Sequence, residues 1–199
     1  MAEPGPHENL QVLVVDDERE VADAYALRLR GFCAVETAYS GQDALSVIDG
    51  SEVDIVLLDR HMPDMSGDEV LAELDDREYY GRVIMVTAVD PDFDVLELPF
   101  DEYLCKPVER EELQAVIDQQ RRVLAFDTLG EYFSVESKRA VIEAQTSDER
   151  RQNHDGYADL VDRSKQLHER ATRLLDDENV LEQFHRIGRE RSDRSATNR

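Results

Sequence analysis

The hydrophobic pattern of the chain changes character past its middle. Residues 12–15 (VLVV) form a short unbroken β-branched run, the mark of a strand buried on both faces. The run ends in Asp16, Asp17 and Glu18. A helical pattern with Val21, Ala24, Tyr25, Leu27 and Leu29 follows, and Gly31 stops it. Residues 33–38 read as a second strand, and Ser40-Gly41 opens a short helix carrying Ala44, Leu45 and Ile48. Residues 53–58 form a third strand ending at Asp59. The turn-rich loop HMPDMSG at 61–67 leads into a helix with Val70, Leu71 and Leu74. Residues 82–87 are a fourth strand. Residues 100–105 are a fifth, ending in Lys106-Pro107, and a longer helix begins near Glu109. Five strands alternating with helices predict an α/β fold, a parallel sheet with helices on both faces.

After Cys105 no strand run recurs. Leu160, Leu167 and Leu174 repeat every seven residues, with Tyr157, Ser164 and Ala171 between them. This is a heptad seam of under three heptads with a polar Ser164, and it suits two arrangements equally: a helix packed on its own chain, or a coiled coil between chains. Asp176-Asp177 reads as the cap of a final helix with Val180, Leu181, Phe184 and Ile187, followed by a polar tail. The expected organisation is a flexible N-terminus over 1–9, an α/β domain over 10–123, a helical domain over 124–190 and a polar tail over 191–199.

A length of 199 residues with 41% hydrophobic content suits one ordinary domain plus a smaller module. No apolar run is long enough for a spanning helix, and MAEPGPHENL lacks the order of a signal peptide, so a cytoplasmic protein is expected. Two cysteines, Cys33 and Cys105, make no disulfide framework. Charge adds more. The 46 acidic residues outweigh 23 basic ones for a net of −23, and only Lys106, Lys138 and Lys165 are lysines. Such a field argues against nucleic acid as a default partner. Scarce lysine with abundant carboxylate is also what a salt-rich cytosol favours, where screening removes the self-repulsion. The imbalance is uneven: residues 1–124 carry a net of −20 and residues 125–199 a net of −3.

The candidate chemistry sits at the strand ends. Strand one delivers Asp16 and Asp17, strand three Asp59, strand four Thr87 and strand five Lys106. In a parallel sheet these ends share one edge, where ligands bind. Three carboxylates repel one another unless a cation neutralises them, and hard oxygen ligands on a wet edge suit Mg²⁺. An ammonium and a hydroxyl nearby can hold phosphoryl oxygens. Together they make a carboxylate nucleophile with charge neutralisation for a transferring phosphate.

VLVVDDE, VDIVLLDRHMPDMSG, VIMVTA and YLCKP resemble the signatures of the response regulator receiver domain, the chemotaxis-regulator-like phosphoacceptor, over about residues 10–123. The resemblance implies a doubly wound, flavodoxin-like sheet of order 2-1-3-4-5 with a C-terminal all-helical module. It implies Asp59 as the phosphorylated residue, with Mg²⁺ held by Asp17, Asp59 and the His61 main-chain carbonyl, and by Asp16 through water. Lys106 would contact the phosphoryl group beside a cis peptide to Pro107, Thr87 would swing to the phosphoryl oxygen, Tyr103 would change rotamer with it, and Pro63 and Gly67 would shape the loop after Asp59. The implied donor is a sensor histidine kinase. One departure is the stretch between Thr87 and Lys106, which contains Pro91 and Pro99 and leaves room only for a small helix near 92–98.

Residues 124–190 are similar to the HalX domain, a helical segment that follows receivers in haloarchaea. Homodimerisation through the receiver or these helices is expected to be open to the chain. Two other function classes compete. A DNA-binding transcriptional regulator would use the C-terminal helices and the terminal Arg186, Arg189, Arg191 and Arg194, against the net charge. An aspartate-nucleophile phosphatase would need a second aspartate two residues after Asp59, where His61 stands.

Overall fold

The computed structural model describes residues 7–89, 91, 93 and 98–175. Its elements run β1 (His7–Val15), α1 (Arg19–Leu29), β2 (Cys33–Ala38), α2 (Gly41–Gly50), β3 (Ile55–Leu58), α3 (Gly67–Asp76), β4 (Arg82–Thr87), β5 (Glu102–Cys105), α4 (Arg110–Gln145), α5 (Asp148–Gln152) and α6 (Asp155–Leu174). The five strands form one parallel sheet in the order β2-β1-β3-β4-β5. The chain divides into two compact units, one up to Leu124 and one from Ala125.

Strand period places alternate residues on opposite faces. Leu13, Val15, Val56, Leu58, Val83 and Met85 pack with Ala44 and Leu45 of α2 and with Val70, Leu71 and Leu74 of α3. The intervening Val12, Val14, Ile55, Leu57 and Ile84 are also buried, as are Ala22, Tyr25 and Leu29 of α1 and Leu113 and Ile117 of α4. All four residues of β3 are buried, which is why the central strand reads as a continuous apolar run.

Three boundaries differ from the sequence expectation. His7, Glu8 and Asn9, expected in a flexible N-terminus, begin β1; His7 pairs with Cys33 across an irregularity before Gln11. β3 starts at Ile55 instead of residue 53, and β5 at Glu102 instead of residue 100. Most of the small helix expected near 92–98, the final helix with Val180, Leu181, Phe184 and Ile187, and the terminal arginines lie outside the described residues.

In the second unit, α6 turns its heptad seam onto α4 of the same chain. Leu167 and Ala171 pack with Leu129, Tyr132 and Val135, with Phe133, Leu160 and Leu175 at the margins. Polar pairs fix the register. Tyr157 donates to Glu143 at 2.8 Å, Ser164 donates to Glu136 at 2.5 Å, and Arg163 donates to Glu131 at 2.7 Å. Leu160 and Leu167 of the seam thus pack within the chain, and Leu174 is buried.

Candidate functional site

The carboxyl ends of the strands build the site. β1 carries Asp16 out of the sheet, its N–H donating to the Ala38 carbonyl, and β3 carries Asp59, its N–H donating to the Val15 carbonyl. The edge pairing of β5 brings Lys106 in, its N–H donating to the Thr87 carbonyl. The Lys106-Pro107 peptide is cis.

One cation bridges two acids. Lys106 Nζ donates to Asp16 Oδ2 at 2.6 Å and to Asp59 Oδ1 at 2.7 Å. The Asp16 and Asp59 side chains are 4% and 9% exposed, and that of Lys106 is 17% exposed. Backbone donors take the remaining oxygens: Glu18 N–H reaches Asp16 Oδ1 at 2.9 Å, and His61 N–H reaches Asp59 Oδ2 at 2.8 Å. Burial is the largest single influence on Lys106 and pushes its ammonium down. Hydrogen bonds to Asp16 and Asp59, with the field of both carboxylates, together outweigh it and hold the group above its ordinary value.

The loop after Asp59 is packed too tightly for a side chain at Gly67. A Cβ there would stand 2.3 Å from the Asp59 carbonyl oxygen and 2.9 Å from the Arg60 Cα. Gly67 N–H donates to the Arg60 carbonyl at 2.9 Å, and Arg60 forks onto Asp68. Ser66 and Glu69 form a reciprocal cap on α3, a motif legible as S-x-x-E that sequence reasoning passed over. Pro63 lies in the same loop, its carbonyl accepting from Met65.

Thr87 and Tyr103 meet at a single residue. Thr87 is buried, and its hydroxyl accepts a long 3.5 Å contact from Val89 N–H. Tyr103 donates its hydroxyl to the Val89 carbonyl at 2.8 Å. Val89 takes part through its main chain, which carries no residue-type signal in a sequence.

The structure thus brings Asp16, Asp59 and Lys106 into contact. Asp17, next in the chain after Asp16, is half-exposed, and His61 meets Asp59 through its main-chain N–H. Among the described residues no group of three or more His, Cys, Asp or Glu side chains is gathered to hold a metal ion. The donor chemistry nevertheless fits Mg²⁺. Asp16, Asp17 and Asp59 supply hard carboxylate oxygens at the carboxyl ends of β1 and β3, and the ion pairs reaching Asp16 and Asp59 both come from Lys106.

The family description "Response regulator receiver domain" matches residues 12–118, and that of the HalX domain matches residues 122–187. A Haloferax volcanii protein provisionally named a transcriptional regulator is 44% identical over 143 residues, which cover 71% of this chain and 24% of that protein. The chain therefore spans about a quarter of that relative's length. Among solved structures, the receiver of a Luxo repressor protein from Vibrio parahaemolyticus shares the fold at a TM-score of 0.57 and 24% identity, covering 61% of this chain and 97% of its own. The response regulator TrrA of Thermotoga maritima, solved with Mg²⁺ and a beryllium fluoride, is similar at 0.51 and 29% identity, covering 56% of this chain and 98% of its own.

Proposed function

Because the chain belongs to the response regulator receiver family and carries a HalX domain behind that receiver, we propose that Asp59 accepts a phosphoryl group from the phosphohistidine of a sensor kinase in the cytoplasm. The observation that carries this reading is the Lys106 bridge between Asp16 and Asp59. A carboxylate held on one side by an ammonium and on the other by the His61 N–H is oriented for attack on phosphorus. As the new O–P bond forms, the P–N bond of the donor breaks and the imidazole keeps its electron pair. Asp17, Asp59 and the His61 carbonyl would hold Mg²⁺ directly, with Asp16 through water, and the ion would neutralise charge on the transferring group. The receiver itself thus catalyses both the transfer and its later hydrolysis.

The switch follows from Val89. Once a phosphoryl oxygen stands beside Asp59, the Thr87 O–H gains a charged acceptor, which outweighs the long contact that the Thr87 oxygen accepts from the Val89 N–H. Turning toward it releases the Val89 N–H, and Tyr103, tied to the Val89 carbonyl, moves with that loop. The test is acylphosphate formation from acetyl phosphate, read by mass spectrometry. Wild type gains one phosphoryl group with Mg²⁺ and none with chelator, and Asp59→Asn gains none. Labelling of Asp59→Asn would overturn the assignment.

A second reading, a transcriptional regulator contacting DNA through the C-terminal helices, is favoured by the name of the Haloferax relative. Gel retardation at molar salt separates the two, since retardation by the helical region supports DNA contact.

A further inference from the structure

A second face of α4, beside the one that α6 covers, carries no charge, and among the described residues most of it is uncovered. Phe126 is 66% exposed and Val141 is 65% exposed. Phe126, Gly130, Phe133, Ser137, Ala140 and Ala144 recur at intervals of four and three, the heptad of a second seam. None is charged, in a chain where 35% of residues are. Apart from Phe133, which packs partly on the core of its own unit, these positions are exposed. Gly130 adds a separate sign. A glycine inside a helix costs roughly 0.5–1 kcal/mol against alanine, and a Cβ there would meet nothing within 4 Å, so nothing described in the chain itself requires it.

We propose that this face binds a second copy of the chain, antiparallel. In an antiparallel pair centred at residue 135, Phe126 lies opposite Ala144, Phe133 opposite Ser137 and Gly130 opposite Ala140. Each phenyl ring then meets a small side chain, which fills volume without strain. A parallel pair stacks Gly130 on Gly130 and Phe126 on Phe126, leaving voids and clashes in alternate layers. The contact spans 19 residues, about 28 Å of helix. The chain carries −23, so two copies repel at low salt. Molar salt shortens the Debye length to about 3 Å and removes that cost. Association therefore strengthens with salt, opposite in sign to binding of nucleic acid.

The test uses the full chain without any phosphoryl donor, so it is independent of the Asp59 assignment. Sedimentation equilibrium at molar potassium chloride should show the mass rising from 22.8 kDa toward the dimer with concentration. Phe126→Asp and Ala144→Arg should each weaken association at least about tenfold with unchanged helicity. Orientation is read by mixing Phe126→Cys and Ala144→Cys chains under mild oxidation, both carrying Cys33→Ser and Cys105→Ser. A disulfide between unlike variants supports the antiparallel pair, and one between two Phe126→Cys chains overturns it. A monomer at every concentration and salt also overturns it, and would mean that another segment of the chain, or nothing, covers this face.

Discussion

Lys106→Met removes the one cation that, among the described residues, pairs with Asp16 and Asp59, while keeping most of the side chain's volume. Across 2.6 and 2.7 Å, each contact is about 6 kcal/mol of gross attraction at an effective dielectric near 20. Desolvation of the three groups consumes most of that, and leaving buried charges without their partner costs about 3–5 kcal/mol net. The variant should lose that much stability to urea in chelator, followed by circular dichroism. Mg²⁺ at a hundredfold excess over its dissociation constant returns about 2.7 kcal/mol, so it should recover over half of the deficit. Lys106 is held above its ordinary value of 10.5 in the fold. Its stabilisation is therefore fully present below pH 10.5 and is lost as pH rises through the higher folded value. The gap between wild type and Lys106→Met should close over that alkaline range. Equal stability of the two proteins in chelator at neutral pH, or a deficit that Mg²⁺ leaves untouched, would refute the reasoning.

Three further substitutions probe other parts of the molecule. Gly67→Ala puts a methyl against the Asp59 carbonyl and should cost about 1–3 kcal/mol in urea unfolding, with slowed phosphoryl uptake from acetyl phosphate. Leu167→Ala opens a cavity between α6 and α4 and should cost about 2–5 kcal/mol, seen as early loss of helical signal in thermal melts. Tyr103→Phe deletes the hydrogen bond to Val89 and should cost about 0.5–1.5 kcal/mol, with faster amide exchange at Val89 as the readout.

What could be read in the sequence follows physical rules of different reach. The strand ends were legible because apolar β-branched runs mark the sheet core, and polar residues such as Asp59 and Lys106 can follow only where the sheet opens to water. The meeting of Asp16 with Lys106 follows from parallel topology, since all carboxyl ends face one way. The start of β1 was not legible, because His7, Glu8 and Asn9 are polar and His7 is tied by a main-chain N–H to the Phe32 carbonyl. The partner of α6 was not legible either. Periodicity shows that Leu167 lies on an apolar face, but Leu129, Tyr132 and Val135 cover it for reasons of tertiary packing. The role of Val89 rests on main-chain atoms and leaves no trace in residue type.

The three polar ties between α4 and α6 also bear on what kind of output the second unit can give. Sliding α6 by one heptad would set its leucines over Glu136, Arg139 and Ile142 or over Arg122, Ala125 and Thr128, so the apolar packing itself already favours the observed alignment. The same slide separates Tyr157 from Glu143, Ser164 from Glu136 and Arg163 from Glu131 all at once. Of these, the Ser164 contact is the most sheltered from salt, because the Ser164 side chain is buried. Intermediate alignments therefore carry the full cost of broken contacts with no compensating gain. A hairpin of this kind is a digital element, which holds one alignment or comes apart.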